Sequence, residues 1–107
     1  MTVTEYDGSM NTSGNALRTL EGEVRKLIRT NVRDIRLAKG ITGSYVARAL
    51  AISRQGYQSM ENGQCEISSE RLKEISKVLN VKPAVFFERK LTESVIKRIG
   101  RRNVEDE

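Results

Sequence analysis

Apolar residues recur at intervals of three and four along most of the chain, which is the period of an amphipathic helix. The first two stripes follow one another with a slight rotation: Leu17, Leu20, Val24 and Leu27, then Ile28, Val32 and Ile35. A basic residue followed by Gly, at Lys39-Gly40, is a usual signal for the end of a helix. The pattern predicts either one helix over 16–39 or two helices, with Thr30 capping the second.

Three short helical segments follow, and polar residues mark their ends. Thr42 is a suitable N-cap for a helix with Val46, Ala47 and Leu50 inside, and Ser53 caps the next helix after a brief turn. Asn62-Gly63 predicts a left-handed end for that helix. Ser68 or Ser69 begins the third, which buries Leu72, Ile75 and Leu79 and ends at Asn80.

The remaining residues add two short helical segments. Pro83 suits the first position of a helix that carries Val85, Phe86 and Phe87. A last apolar stripe precedes Gly100: Leu91, Val95, Ile96 and Ile99. No run of five residues alternates in the way a half-buried strand does. The sequence therefore predicts an all-α fold of five or six short helices.

Composition divides the chain into three parts. Residues 1–15 are small and polar, and we expect a flexible N-terminal arm, because they bury too little apolar surface to offset their ordering entropy. Residues 16–90 are expected to form one domain. Residues 91–107 are expected to form a C-terminal helix with a charged, frayed tail.

The positive charge of the chain is concentrated in its middle. The net charge is +5, and the whole excess falls in residues 31–90, which hold eleven basic and six acidic residues. The sequence pI is about 9.7. A basic domain of this kind is attracted to a polyanion, which narrows the partner to nucleic acid or anionic lipid.

Several chemistries are excluded or unsupported by composition. The chain has no His, which removes imidazole bases and His-containing metal sites. The single cysteine, Cys65, forms neither an internal disulfide nor a thiolate zinc site, and we interpret it as a bystander. No nucleotide-binding motif, acid–base pair or membrane-spanning stretch is evident. We expect a cytoplasmic protein that is not an enzyme and needs neither cofactor nor metal.

The segment from Val32 to Phe87 resembles the lambda-repressor/Cro-like helix-turn-helix (XRE) family of DNA-binding domains. The resemblance lies in Val46-Ala47, Ile52-Ser53-Arg54 and Glu61-Asn62-Gly63 in register, with further matches on both sides. It implies a five-helix bundle whose helix-turn-helix spans about Thr42 to Asn62, here with a flanking N-terminal helix and a short C-terminal helix. Gly40–Gly43 also matches the GXXG loop of KH domains, but that fold needs strands.

Residues 53–62 have the pattern of a helix that enters the major groove. Their polar side carries Arg54, Gln55, Gln58 and Ser59, and their apolar side carries Tyr57 and Met60. Arg makes bidentate contacts to guanine, and Gln makes them to adenine. The resemblance places Arg54, Gln55 and Ser59 at base-contacting positions, and we predict Gln58 as a fourth.

Other roles follow from the resemblance with one departure. The family often has a Gln phosphate donor where this chain has Gly43, so we expect Thr42 or Ser44 to replace it. Asn62 matches a phosphate-contacting Asn, and the Tyr57 hydroxyl must reach water, a polar group or a phosphate. Arg36 and Glu61 match a structural ion pair of the family.

The sequence predicts binding to specific double-stranded DNA sites as a transcriptional regulator. We expect a repressor, since occupancy alone blocks polymerase and 107 residues leave no room for an effector domain. A palindromic operator and a homodimer through the C-terminal stripe are expected, with the Leu17–Leu27 stripe as an alternative interface. The alternative function is an antitoxin-like protein, in which the 16–30 helix or the tail binds a toxin or another regulator.

Overall fold

The computed structural model describes the backbone of residues 9–106 and the side chains of residues 20–100. Five α-helices and one 3₁₀ turn follow one another, and no strand is present in this part of the chain. The elements are α1 (Ser9–Ala38), α2 (Gly43–Ala49), α3 (Arg54–Asn62), α4 (Ser69–Leu79), the 3₁₀ turn (Pro83–Phe87) and α5 (Arg89–Asp106). The predicted all-α class is confirmed.

A single helix, α1, runs through both stripes of the first third of the chain. It begins at Ser9 and continues past Thr30 without a break to Ala38, which decides between the two alternatives. Extending a helix that already exists costs far less than nucleating one, so the polar residues before Ala16 join it. Of the predicted arm over 1–15, residues 9–15 are helical, and residues 1–8 lie outside the described part.

The predicted caps of the inner helices are confirmed. The hydroxyls of Thr42, Ser53 and Ser68 each accept a hydrogen bond from a backbone N–H in the first turn of the helix they precede. Gly63 and Asn80 end α3 and α4 in the left-handed region, with φ of 86° and 59°. These caps satisfy backbone groups that the helices leave unpaired at their ends.

The core is small and aliphatic, with two aromatic side chains. Its buried apolar side chains come from α1, α2, α3, α4 and the 3₁₀ turn: Val32, Ile35, Val46, Ala47, Leu50, Tyr57, Met60, Leu72, Ile75, Leu79 and Phe86. By contrast, Leu20 and Val24 on the first half of α1 are exposed. This part of α1 therefore buries little of its apolar stripe against the bundle.

Helix α5 is part of the bundle and continues through Gly100 into the mostly charged residues 101–106. It begins at Arg89 and runs to Asp106, because a single Gly weakens a helix without necessarily ending it. Ile96 packs against the core. The buried Thr92 hydroxyl donates to the Val85 carbonyl at 2.8 Å.

A buried amide joins α1 to both the 3₁₀ turn and α5. The Asn31 side chain is fully buried, and its Nδ2 donates to the Phe86 carbonyl at 2.9 Å. Its Oδ1 accepts from Arg89, whose guanidinium also binds Asp34 and Glu93. Both polar ends of Asn31 are therefore satisfied inside the protein, as a buried amide requires.

We expect Asn31→Ala to lower the free energy of unfolding by about 1–3 kcal/mol, because the Phe86 carbonyl then loses its buried donor. Urea unfolding followed by far-UV circular dichroism measures the change. Glu93→Ala is the matched control, since it removes an exposed partner of the same Arg89 and should stay within about 0.5 kcal/mol of the parent. Equal losses for the two variants would contradict the assigned role.

Candidate nucleic-acid interface

Helix α2, a tight turn and helix α3 form a compact corner. Thr42 Oγ1 accepts from the Tyr45 backbone N–H at 3.0 Å, which fixes the start of α2. The chain reverses at Ala51, whose φ is 60°, and Ser53 Oγ then accepts from the Gly56 N–H at 2.9 Å. These local bonds fix where α3 begins.

Helix α3 has the two faces that the sequence predicted. Tyr57 and Met60 are buried in the core, whereas Arg54, Gln55 and Gln58 are exposed. Long polar side chains therefore stand on the outer face of its first turns. A helix of this build can enter the major groove of DNA, which is about 12 Å wide.

The two other polar residues of α3 differ in exposure. Asn62, the last residue of the helix, is exposed. Ser59 is half-buried, and its hydroxyl lies 3.4 Å from Oε1 of Gln64, just after the helix. Ser59 is thus the least exposed of the four residues predicted to contact bases.

The predicted ion pair between Arg36 and Glu61 is present and partly buried. Arg36 Nε donates to Glu61 Oε2 at 2.7 Å, and Nη2 donates to Oε1 at 3.0 Å, so the pair is bidentate. Arg36 Nη1 also donates to the Ile41 carbonyl at 2.8 Å. The hydrogen bond to Glu61 raises the pKa of Arg36 above its usual value. One guanidinium thus ties α1 to α3 and to the chain that leads into α2.

Of the three partners that the sequence allowed for the Tyr57 hydroxyl, which were water, a polar group and a phosphate, the structure shows a polar group of the protein. Its hydroxyl donates to Glu61 Oε2, so the polar group it reaches is a carboxylate of the protein. Its ring lies beside Gly43, where an added Cβ would sit 3.5 Å from Tyr57 Cδ2. Burial first, and then the hydrogen bond to Glu61, raise the pKa of the Tyr57 phenol well above 10.0. Tyr57 therefore anchors α3 to the core through its buried ring and its hydroxyl.

A polar groove lies beside α3, between α1 and the start of α2. Arg54, Gln58 and Asn62 line one side of it, and Gly43 and Ser44 line another. Arg33 also lines this groove, although the sequence analysis assigned it no site role. The signal was its position one turn before Arg36 on α1, because residues three apart lie on the same side of a helix.

The start of α2 supplies hydroxyl groups in place of the missing side chain at Gly43. Ser44 lies in the groove. Thr42 Oγ1 is engaged as an acceptor by the Tyr45 N–H, which leaves its own proton able to donate. The only carboxylate among the described residues of the groove, Glu61, is already bound to Arg36 and Tyr57. The groove therefore offers donors and positive charge.

Comparison with protein-family models matches residues 32–86, just over half of the chain, to a helix-turn-helix model. The chain belongs to the lambda-repressor/Cro-like (XRE) helix-turn-helix family. Comparisons with curated proteins and with solved structures found no match. Family membership makes this protein a DNA-binding transcriptional regulator.

The described part of this helix-turn-helix protein carries neither a candidate metal site nor a membrane span. Within the described residues, no group of His, Cys, Asp and Glu side chains could hold a metal ion. None of the helices described has the length and apolar character required to cross a bilayer. Cys65 is exposed in the loop after α3.

We expect stability to fall above pH 10 partly because of Tyr57. The unfolded chain ionises this phenol near its ordinary pKa, whereas the folded state keeps it protonated and so binds more protons. The Tyr57 contribution to the free energy of unfolding is therefore intact below pH 10 and declines above it, by up to about 1.4 kcal/mol per pH unit.

Urea unfolding at pH 9, 10 and 11 tests this expectation on Tyr57→Phe and on Tyr45→Phe, which removes an exposed phenol. Tyr57→Phe should lose stability less steeply with pH than the parent, and Tyr45→Phe should follow the parent. Parallel curves for the parent and Tyr57→Phe would refute the assignment.

Proposed function

We propose that this protein represses transcription by binding a palindromic operator in double-stranded DNA as a homodimer. The observation that carries the proposal is that α3 has one exposed polar face and one buried apolar face. Arg54, Gln55 and Gln58 face solvent, while Tyr57 and Met60 hold the helix against the core. The exposed side chains are of the types that read bases, and they stand beside a positively charged groove.

Base reading is assigned to four residues of α3: Arg54, Gln55, Gln58 and Ser59. Arg54 suits a bidentate contact to O6 and N7 of guanine, and a Gln suits the N6 and N7 edge of adenine. Contacts of this kind identify the sequence, whereas contacts to the backbone only set the register.

Phosphate contacts are assigned to the borders of the same groove. Ser44 and Asn62 carry donors there, and Arg33 adds a full positive charge. Thr42 adds a hydroxyl next to the groove, as the residue before Gly43. Each phosphate that a cation neutralises releases counterions, so this part of the affinity depends on salt and not on sequence. We leave Tyr57 out of this set, because its proton is donated to Glu61.

Two recognition helices are needed to read the two halves of a palindrome. Half-sites about 34 Å apart match a symmetric dimer of this kind of domain. A dimer seated on a promoter blocks polymerase by occupancy alone. This mechanism requires no catalytic group and no bound cofactor.

A second candidate function is supported by the first half of α1. Leu20 is 59% exposed and Val24 is 47% exposed, one turn apart on a helix that extends from the bundle. Such a stripe fits the antitoxin-like alternative, in which this helix binds a toxin or another regulator. Elution of the purified chain together with the product of an adjacent reading frame, and loss of that product on Leu20→Glu, would support it.

We expect Arg54→Ala to lose about 1–3 kcal/mol on the operator and to relax the preference at one base pair. Selection of bound sequences from random duplexes defines the operator first and shows whether its half-sites are symmetric. Affinities of the parent and the variant are then measured on the selected and on unrelated duplexes at one salt concentration.

The matched control is Lys90→Ala, which removes an exposed cation of α5. It should keep the preference of the parent for the operator over unrelated DNA. If Arg54→Ala weakened operator and unrelated DNA equally, base reading by this residue would be refuted. A selection without any consensus would refute specific binding altogether.

We expect Arg33→Ala to weaken binding to every duplex by a similar factor. Because Arg33 is assigned to a phosphate, the slope of log affinity against log salt concentration should decrease in magnitude by about 1. Titrations at several salt concentrations measure this slope. An unchanged slope, or a loss confined to the operator, would contradict the phosphate assignment.

A further inference from the structure

A second groove, which we call the basic groove, lies between the end of α4, the 3₁₀ turn and α5. Four cations border it, Lys39, Lys77, Lys82 and Arg98. Its apolar lining is aliphatic and consists of Val81, Val85, Val95 and Ile99. Among the described residues, no carboxylate lines it. The basic groove therefore combines an aliphatic lining with positive charge that no carboxylate of the lining offsets.

The cations of the basic groove have no acidic partner within the described residues. The ion pairs found there involve Arg25, Arg36, Arg71 and Arg89, and none of the four bordering cations. Like charges gathered in one place repel each other, and an acidic occupant relieves that repulsion. The aliphatic lining adds a place for an apolar side chain.

The basic groove is separate from the groove beside α3. Arg33 and Arg36 of α1 line the groove beside α3, whereas Asn31 and Asp34 bind Arg89 of α5. Successive residues of a helix turn by about 100°, so these two pairs leave α1 on different flanks. No residue of α3 lines the basic groove. Its charge is thus not explained by base reading.

The geometry points to residues 103–107 of a second copy of this chain as the occupant of the basic groove. These residues read Asn-Val-Glu-Asp-Glu, which is one aliphatic residue followed by three acids. They follow the basic stretch 97–102, which holds Lys97, Arg98, Arg101 and Arg102. An apolar and acidic segment matches an aliphatic groove with a basic border.

The occupant comes from a second copy because a chain cannot fill its own basic groove in this way. Helix α5 is continuous from Arg89 to Asp106. At 1.5 Å per residue, residue 105 lies about 10 Å beyond Arg98 along the axis, and a continuous helix cannot fold back onto its own earlier turns. Each copy carries both a groove and an acidic end, so a two-fold axis lets two copies exchange them reciprocally.

This inference rests on the proposed function for one point, the need for a dimer, and it supplies the interface. It also agrees with the exposure of α5, where Leu91 remains 41% exposed while Ile96 packs on the core of its own copy. Part of the apolar stripe of α5 is thus left uncovered by its own bundle.

Charge exchange between two variants tests the pairing. One variant carries Lys77→Glu and Lys82→Glu in the groove, and the other carries Glu105→Lys and Glu107→Lys at the end. Each variant alone sets like charges against each other in both contacts of a dimer, whereas a mixed dimer pairs opposite charges in both. Sedimentation at tens of micromolar measures the dimer in each variant and in their equimolar mixture.

We expect each variant alone to dimerise at least about tenfold more weakly than the parent, because like charges placed together in an interface are strongly unfavourable. The mixture should recover dimer affinity close to that of the parent. Lys73→Glu with Lys90→Glu is the matched control, since it makes the same charge change at exposed positions outside the groove. It should dimerise like the parent. Circular dichroism verifies that all variants remain helical.

A monomeric parent, a mixture that stays monomeric, or variants that dimerise like the parent would each overturn the inference. Its failure is distinguishable from failure of the proposed function. Binding to a duplex with a single half-site does not require the dimer, so the preference for that half-site over unrelated DNA should persist in the groove variant. The proposed function instead fails if Arg54→Ala leaves that preference unchanged.

Discussion

The bidentate bond between Arg36 and Glu61 is the interaction on which the position of α3 against α1 depends. It joins residues 25 positions apart, on α1 and α3, and its two side chains are only 13% and 9% exposed. An exposed pair would contribute little, but removing one partner of a buried pair leaves an uncompensated charge and costs about 3–5 kcal/mol. Two further hydrogen bonds complete the pair: the Tyr57 hydroxyl donates to Glu61, and Arg36 donates to the Ile41 carbonyl. This network of hydrogen bonds therefore joins α3 to α1 and to the chain that leads into α2.

Helix α1 contacts both the groove beside α3 and helix α5. One flank carries Arg33 and Arg36 toward the groove beside α3. Another carries Asn31 and Asp34, which bind Arg89 and so hold α5 in place. A single continuous helix of 30 residues thus sets the relation between the surface proposed to contact DNA and the one proposed to bind a second copy. Its rigidity follows from the unbroken ladder of backbone hydrogen bonds.

The departure from the family pattern at Gly43 has two neighbours in space, Tyr57 and Arg33. The chain has Gly43 where a Gln phosphate donor is common, and the ring of Tyr57 lies beside that glycine. Tyr57 turns its hydroxyl toward Glu61 inside the network, and Arg33 borders the same groove with its charge. The aromatic ring of Tyr57 and the charge of Arg33 therefore both lie near the position where this chain has no side chain, Gly43.

The sequence by itself determined the features that depend on neighbours in the chain. The caps at Thr42, Ser53 and Ser68 and the left-handed ends at Gly63 and Asn80 involve residues only a few positions apart, so their residue types predict them. The two faces of α3 followed from its period, and the pair of Arg36 with Glu61 followed from the family resemblance.

Only the tertiary structure decided features that depend on what lies nearby in space. Thr30 could have capped a second helix and Gly100 weakens a helix, but α1 and α5 continue through these residues because helix propagation outweighs a weak local preference. The partner of the Tyr57 hydroxyl was open in the sequence, since a buried hydroxyl needs an acceptor but does not specify which one. The cations of the basic groove are spread over residues 39–98 of the sequence, so they cluster only once the elements have packed. Arg33 likewise meets the start of α2 and α3 only in the folded chain.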